Sequence, residues 1–253
     1  MTANTRHLAV LIMAAGKGTR MKRDDIPKVC NLVLGKPLIQ YVVDQAKSIS
    51  ATRIICIVGH QQEKVREVLQ DEPVEFAEQL EQLGTGHAVQ QAAPLLKDFQ
   101  GDVIVLSGDV PLLQGSTLKA LLNKHQREHY AATVLTALAD DPFGYGRVIR
   151  TDADLFDYVV EQKDASEEEL KTHEINSGIY VFDGELLFEN LFKINNSNAQ
   201  GEYYLTEVLT IIKGLGKKVG VEICETFSEI QGINTVDELK TVERKILASK
   251  EDR

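Results

Sequence analysis

Cysteine is scarce in this sequence, long apolar runs are absent, and basic side chains are outnumbered. Cys30, Cys56 and Cys224 are odd in number and widely spaced, with no CxxC pair or neighbouring histidine cluster. That pattern argues against both a disulfide framework and a zinc site, and the three are expected to be reduced, packed thiols. No stretch approaches the roughly 20 apolar residues of a membrane span. The run from Leu8 to Ala15 follows Arg6, but it is short and ends in Gly-Lys-Gly-Thr-Arg instead of a small-residue cleavage site, so it is not read as a signal peptide. A cytoplasmic protein with no membrane partner is expected. With 28 basic against 38 acidic residues, the net charge of -10 speaks against a broad basic face and so against nucleic acid as the main partner. A small anionic substrate would need only a local basic pocket. Repeats and low-complexity linkers are also missing, and the later part has none of the hexapeptide periodicity of a β-helix.

What is present reads as a globular α/β protein: 43% hydrophobic and 26% charged residues are ordinary for a packed domain. The length suits a single domain spanning 1–253. Short apolar runs at Leu8–Met13, Ile54–Val58, Val103–Leu106 and Ala131–Ala137 predict buried strands. Between them, Leu38, Tyr41, Val42 and Ala46 mark one helical face, Val65, Val68 and Leu69 another, and Ala88, Ala92 and Leu95 a third. This alternation predicts a Rossmann-like, doubly wound, mainly parallel sheet. From about Pro142 the rhythm changes to a glycine-rich turn, strand-like runs around Val148 and Tyr158, and an acidic, helix-prone segment from Asp164 to Lys171. The range 142–205 thus reads as an insertion-like layer. Ile179–Phe182 predicts a further strand, and Tyr204–Ile212 and a segment at roughly 235–250 predict helices.

The first strand runs into Ala14-Ala15-Gly16-Lys17-Gly18-Thr19-Arg20, where two glycines let backbone N–H groups approach an anion and cations follow. A P-loop would need glycine where Leu11 stands, and a dinucleotide fingerprint would need it at Met21, so neither motif is present. Arg20 can grip phosphate oxygens through its planar fork, and Lys28 offers a mobile point charge. Further on, Gln79 and Gly84-Thr85 join a short strand to a helix. Strand Val103–Leu106 ends in Ser107-Gly108-Asp109, which puts a carboxylate at the edge where open α/β sheets bind ligands. Gly146 lies in a glycine-rich turn, Glu161 follows a strand and Asn176 precedes one. Residue by residue, blander readings stay open. Arg20 and Lys28 could be solvated cations, the Gln79 segment a capped helix, Asp109 the cap of a turn and His87 a structural helix residue.

Taken in order, these motifs resemble the sugar-phosphate nucleotidyltransferases. The stretch from Leu11 to Leu38 resembles their signature region. The rest of the chain is similar to the uridyltransferase domain of bacterial bifunctional N-acetylglucosamine-1-phosphate uridyltransferases. The resemblance implies the nucleotide-diphospho-sugar transferase type of fold and transfer of the uridylyl group of UTP to N-acetylglucosamine-1-phosphate, with Mg2+ as cofactor and no covalent intermediate. It implies that Ala14, Ala15, Gly16, Arg20 and Lys28 serve the triphosphate, and that Gln79, Gly84 and Thr85 read the uracil edge. It assigns Asp109 and Asn234 to the metal, Gly146, Glu161 and Asn176 to the amino sugar, and Thr206 as a candidate sugar-phosphate contact.

Two departures stand out. Thr235-Val236 replace a polar residue and an arginine that often follow the asparagine, which puts the local support of Asn234 in question. The bifunctional relatives continue into an acetyltransferase β-helix that this sequence does not contain, so acetyl transfer is not expected. A monomer or weak homo-oligomer is. The alternatives are a same-fold enzyme for another sugar-1-phosphate or nucleotide, and a catalytically silent nucleotide-binding module.

Overall fold

A computed structural model describes residues 6–16, 18, 21 and 25–251. The chain begins with β1 (His7–Ala14), the short antiparallel pair β2 (Leu32–Val33) and β3 (Lys36–Pro37), and α1 (Leu38–Ser48). Alternating units follow: β4 (Arg53–Val58), α2 (Gln62–Val68), β5 (Glu75–Glu78), α3 (Thr85–Ala92), β6 (Gly101–Ser107), α4 (Gly115–Arg127) and β7 (Ala132–Leu138). The hairpin β8 (Arg147–Arg150) and β9 (Phe156–Val160) leads to the long β10 (Glu174–Asp183). Last come α5 (Gly184–Asn190), α6 (Thr206–Gly214), β11 (Val219–Ile223), α7 (Phe227–Ile230) and α8 (Val236–Glu251).

Among the described residues one nine-stranded sheet runs in the order β11-β7-β10-β6-β1-β4-β5, with β8 on β10 and β9 on β8. The pairs β1/β4, β1/β6, β4/β5 and β7/β11 are parallel. β10 is antiparallel to β6, β7 and β8. The sheet is therefore the mixed, mainly parallel, doubly wound type read from the sequence.

β1 is apolar from Leu8 to Ala14 because both its faces are covered there. Leu8, Val10, Ile12 and Ala14 enter one core with Ile39, Val42 and Val43 of α1 and Leu118 and Leu121 of α4. Ala9 and Leu11 enter the opposite core with Ala88, Val89 and Ala92 of α3 and Val208, Leu209 and Ile212 of α6. A third, smaller cluster seats α8, with Val242 and Ile233 packed against Val33 and Leu38.

Two local expectations need correction. The acidic segment Asp164–Lys171 is not a helix beyond the single 3-10 turn Glu169–Lys171. Glu169 is committed elsewhere: it accepts from Ser166 N and Oγ at 2.7 and 2.6 Å and from the Tyr158 hydroxyl at 2.7 Å, which ties the turn to β9. The strand placed at Ile179–Phe182 begins at Glu174 and passes through an irregularity between Asn176 and Ile179. Its first residues carry the β8–β9 hairpin, anchored by Arg150, which donates to both oxygens of Glu174 at 2.7 and 2.8 Å.

The chain leaves β1 for β4 on one side and returns to β6 on the other, so the strand order reverses at β1. In open α/β sheets such a reversal leaves a crevice at the carboxyl ends of the strands. The phosphate turn after β1, the Gln79 segment after β5 and Asp109 after β6 all open onto that edge.

Candidate active site

Ala14, Ala15, Gly16, Lys28, Gln79, Gly84, Thr85 and Asp109 line one cleft of about 340 Å³. A Cβ built on Gly16 would meet no described atom within 4 Å. Lys17, Thr19 and Arg20 lie outside the described residues. Lys28 stands at the start of a 3-10 turn (Lys28–Cys30) whose Val29 and Cys30 are buried, which holds the lysine at the cleft wall.

A neighbouring groove of about 500 Å³ shares Lys28, Ser107 and Asp109 with that cleft and adds Asn234, Tyr145, Ser177 and Glu238. The Lys28 ammonium donates to Asp109 Oδ2, and to Asn234 Oδ1 at 3.0 Å. The two residues assigned to a metal, 125 positions apart in sequence, thus converge on one cationic atom. Asp109 is 9% exposed, and its backbone carbonyl accepts from Ile233 N at 3.0 Å. A Cβ on Gly232 would lie 2.9 Å from Asp109 Oδ2, so a larger residue there would press on the Asp109 carboxylate.

The loop also answers the question raised by Thr235-Val236. Glu238 N donates to Thr235 Oγ1 at 3.2 Å while the Glu238 carboxylate accepts from Thr235 N at 3.1 Å, a reciprocal cap at the start of α8. The same carboxylate accepts from Asn234 N, so the cap pins the asparagine backbone directly. Sequence reasoning passed over Glu238; the signal was a threonine three residues before a glutamate at a helix start.

On the far wall, Gln79 is 3% exposed. Its Nε2 lies 3.1 Å from Gly84 O and 3.1 Å from His87 Nδ1. Gly84 has φ +109°, and a Cβ there would lie 2.7 Å from Tyr203 O and 2.8 Å from Tyr203 N. This is a turn and a close approach that only glycine satisfies. Tyr203 N donates to Leu83 O at 2.8 Å and Gly86 N to Tyr203 O at 2.7 Å, binding the start of α3 to the segment before α6. Thr85 is turned to the same purpose: its Oγ1 accepts from Leu205 N at 3.0 Å.

The residues assigned to the sugar divide. Gly146, Glu161 and Asn176 meet where β8, β9 and β10 join. Asn176 N donates to Gly146 O at 2.9 Å, and both Glu161 carboxylate oxygens lie 3.3 Å from where a Gly146 Cβ would be. Asn176 Nδ2 donates to the Tyr180 hydroxyl at 2.8 Å and its Oδ1 accepts from Gly178 N at 3.1 Å, which fixes the amide. Burial, then the charges of Asp164 and Glu202, raises the Glu161 carboxyl above the ordinary carboxylate range. Glu202 also lines the 340 Å³ cleft, linking the two regions. Thr206 is buried in the first turn of α6, next to Leu205, whose N–H bonds Thr85.

The fold is a doubly wound α/β domain with a ligand-sized cleft at the carboxyl edge of its sheet. The chain matches the MobA-like NTP transferase domain over residues 10–167 and belongs to that family. Among curated relatives, the bifunctional protein GlmU of Enterococcus faecalis is 47% identical over 234 residues, covering 92% of this chain and 51% of the relative. GlmU of Exiguobacterium sibiricum is 50% identical over 228 residues, 90% of this chain and 50% of the relative. GlmU of another Exiguobacterium strain is 52% identical over 224 residues, 88% and 49%. The chain therefore spans about half the length of these relatives. The crystal structure of UDP-glucose pyrophosphorylase complexed with UDP-glucose superposes with a TM-score of 0.75 at 18% identity, covering 98% of this chain and all of the other, a likeness of fold.

Proposed function

We propose that this chain transfers the uridylyl group of UTP to N-acetylglucosamine-1-phosphate, giving UDP-N-acetylglucosamine and pyrophosphate. The observation that carries the reading is the convergence of Lys28, Asp109 and Asn234 where the two clefts meet. The phosphate turn Ala14–Gly16 and the Gln79–Thr85 wall face the nucleotide side. Gly146, Glu161 and Asn176 stand on the sugar side, with Thr206 in reserve as a sugar-phosphate contact. One domain over 1–253, with 142–205 as its sugar-side layer, is the organisation proposed.

In the proposed reaction an ionised oxygen of the sugar-1-phosphate attacks the α-phosphorus of UTP, a new P–O bond forms, and the bond to pyrophosphate breaks. The attacking oxygen is already charged, so no protein nucleophile or general base is needed. The work left to the protein is positioning and charge neutralisation. Lys28 supplies a mobile positive charge to the α-phosphate, and Arg20 is assigned to the remaining phosphate oxygens. Asp109 and Asn234 suit a hard divalent cation: each offers an oxygen, and both oxygens already share one cationic partner. A bound Mg2+ would neutralise the charge that develops on the phosphates. Gln79 and the Gly84–Thr85 backbone are assigned to the uracil. Among the described residues no helix is long and apolar enough to cross a membrane. A cytoplasmic monomer or weak homo-oligomer is proposed.

The test is pyrophosphate release with magnesium, crossing UTP, TTP, CTP and ATP with the 1-phosphates of N-acetylglucosamine, glucose and N-acetylgalactosamine. Selective turnover of UTP with N-acetylglucosamine-1-phosphate is expected, and Asp109→Ala should abolish it while the protein stays folded. A different preferred pair would overturn the substrates. Unchanged turnover in Asp109→Ala would overturn the metal assignment.

A further inference from the structure

Gln79 can read a base in two opposite ways, because a primary amide offers an acceptor on one side and donors on the other. Which side reaches the cleft depends on what holds the amide from behind. Gly84 O, 3.1 Å from Gln79 Nε2, can only accept, so the NH2 group must face it. The second NH2 hydrogen is aimed at His87 Nδ1, also 3.1 Å away. An amide nitrogen has no lone pair to offer, so Nδ1 must be the acceptor and the imidazole must carry its proton on Nε2. Both hydrogens of Gln79 are then spent inside the protein. No described group donates to Gln79 Oε1, and Gln79 lines the nucleotide cleft beside Gln82, Gly84 and Thr85.

We infer that His87 is a specificity-determining positioning residue: it locks the Gln79 amide so that the cleft presents a hydrogen-bond acceptor to the base. This rests on the proposed assignment of Gln79 to the nucleotide base. An acceptor at this point matches a ring N–H, as in uracil or thymine, and opposes the lone pair that cytosine carries at the same ring position. His87 itself touches no base. Its ring packs near Tyr203, with centroids 6.4 Å apart, and the backbone bonds of Tyr203 to Leu83 and Gly86 hold that neighbour in place. Without the histidine lone pair, Gly84 O alone would orient the amide, and the second NH2 hydrogen would lose its partner.

The experiment compares kcat/KM for UTP and CTP in the wild type, His87→Phe and His87→Asn. Phenylalanine keeps a ring against Tyr203 without the acceptor, whereas asparagine can place an amide oxygen near the position of Nδ1. The UTP:CTP ratio should fall by about tenfold or more in His87→Phe, the size expected for one lost buried hydrogen bond in recognition. The loss should appear mainly in KM for UTP with kcat little changed, and His87→Asn should restore much of the ratio. A ratio in folded His87→Phe equal to that of the wild type overturns the inference and leaves the base reading standing. A wild type that turns over UTP and CTP alike, or neither, overturns the base reading and the inference with it. Nitrogen-15 spectra of the wild-type imidazoles give a second readout that needs no variant. His87 should show an unprotonated Nδ1 and a protonated Nε2, and the opposite tautomer overturns the inference.

Discussion

Lys28 has two claims on it, and they set what its loss should do. Its ammonium bonds Asp109 and Asn234, it lines the 340 Å³ cleft, and the proposed reaction assigns it to the α-phosphate of the nucleotide. A charge that matters most as the transition state forms lowers kcat more than binding when it is removed. Lys28→Ala should therefore reduce kcat by about a hundredfold or more. UTP affinity, measured by calorimetry, should change far less. Glu161 gives a prediction of the opposite electrostatic kind. Burial, with Asp164 and Glu202, raises its carboxyl above the ordinary 4.5, so between 4.5 and the raised value the folded protein holds a proton that the unfolded chain has released. Stability contributed by this group is lost as pH rises through that window, while the carboxylate that the proposed sugar contact uses is gained. KM for the sugar phosphate should fall as pH rises across the window, and Glu161→Gln should flatten the dependence; a wild-type KM flat over the same range would remove Glu161 from the sugar site. That Asp109, Lys28 and Gln79 line one cleft could be expected from the sequence, because each follows a strand or turn in an ordered motif. The contacts of His87 and Glu238 could not, because their partners, a buried amide and a backbone N–H, are specified by no spacing rule.

At the scale of elements, the joint between α3 and the Tyr203 segment decides whether the nucleotide wall stands. Gly84→Ala would force φ +109° on a residue with a Cβ and drive that Cβ into the Tyr203 backbone. Destabilisation of about 1–3 kcal/mol is expected, read by chemical denaturation, together with weaker UTP binding. Wild-type stability and affinity in this variant would show that the joint yields without cost. The strands of the parallel half were legible because strands buried on both faces read as unbroken apolar runs, as β1, β4 and β6 do. β10 was only half legible, since Asn176, Ser177 and Gly178 break its apolar pattern midway. Its insertion between β6 and β7 could not be read at all, because strand order is a property of the packed sheet. The acidic segment near Glu169 looked helical for want of any local sign that Tyr158 would claim the glutamate.

For the whole molecule, two apolar layers on either side of one sheet leave the thiols nowhere to react. Cys30, Cys56 and Cys224 are all buried. Burial pushes Cys30 up to about 11 and Cys56 up to about 12. An aromatic disulfide reagent should modify them in native protein no faster than the protein unfolds, and all three at once in denaturant. Rapid labelling of the native protein would mean that a core layer opens locally. The bond from Lys28 to Asp109 and Asn234 has a consequence at the same scale. The chain brings its own cation to these oxygens, so the fold does not depend on a dissolved ion to compensate the Asp109 charge. Dialysis against a chelator should leave the protein folded, its melting temperature falling only by what a bound cation adds through mass action, and cooperative melting lost altogether on chelation would show that the lysine does not suffice.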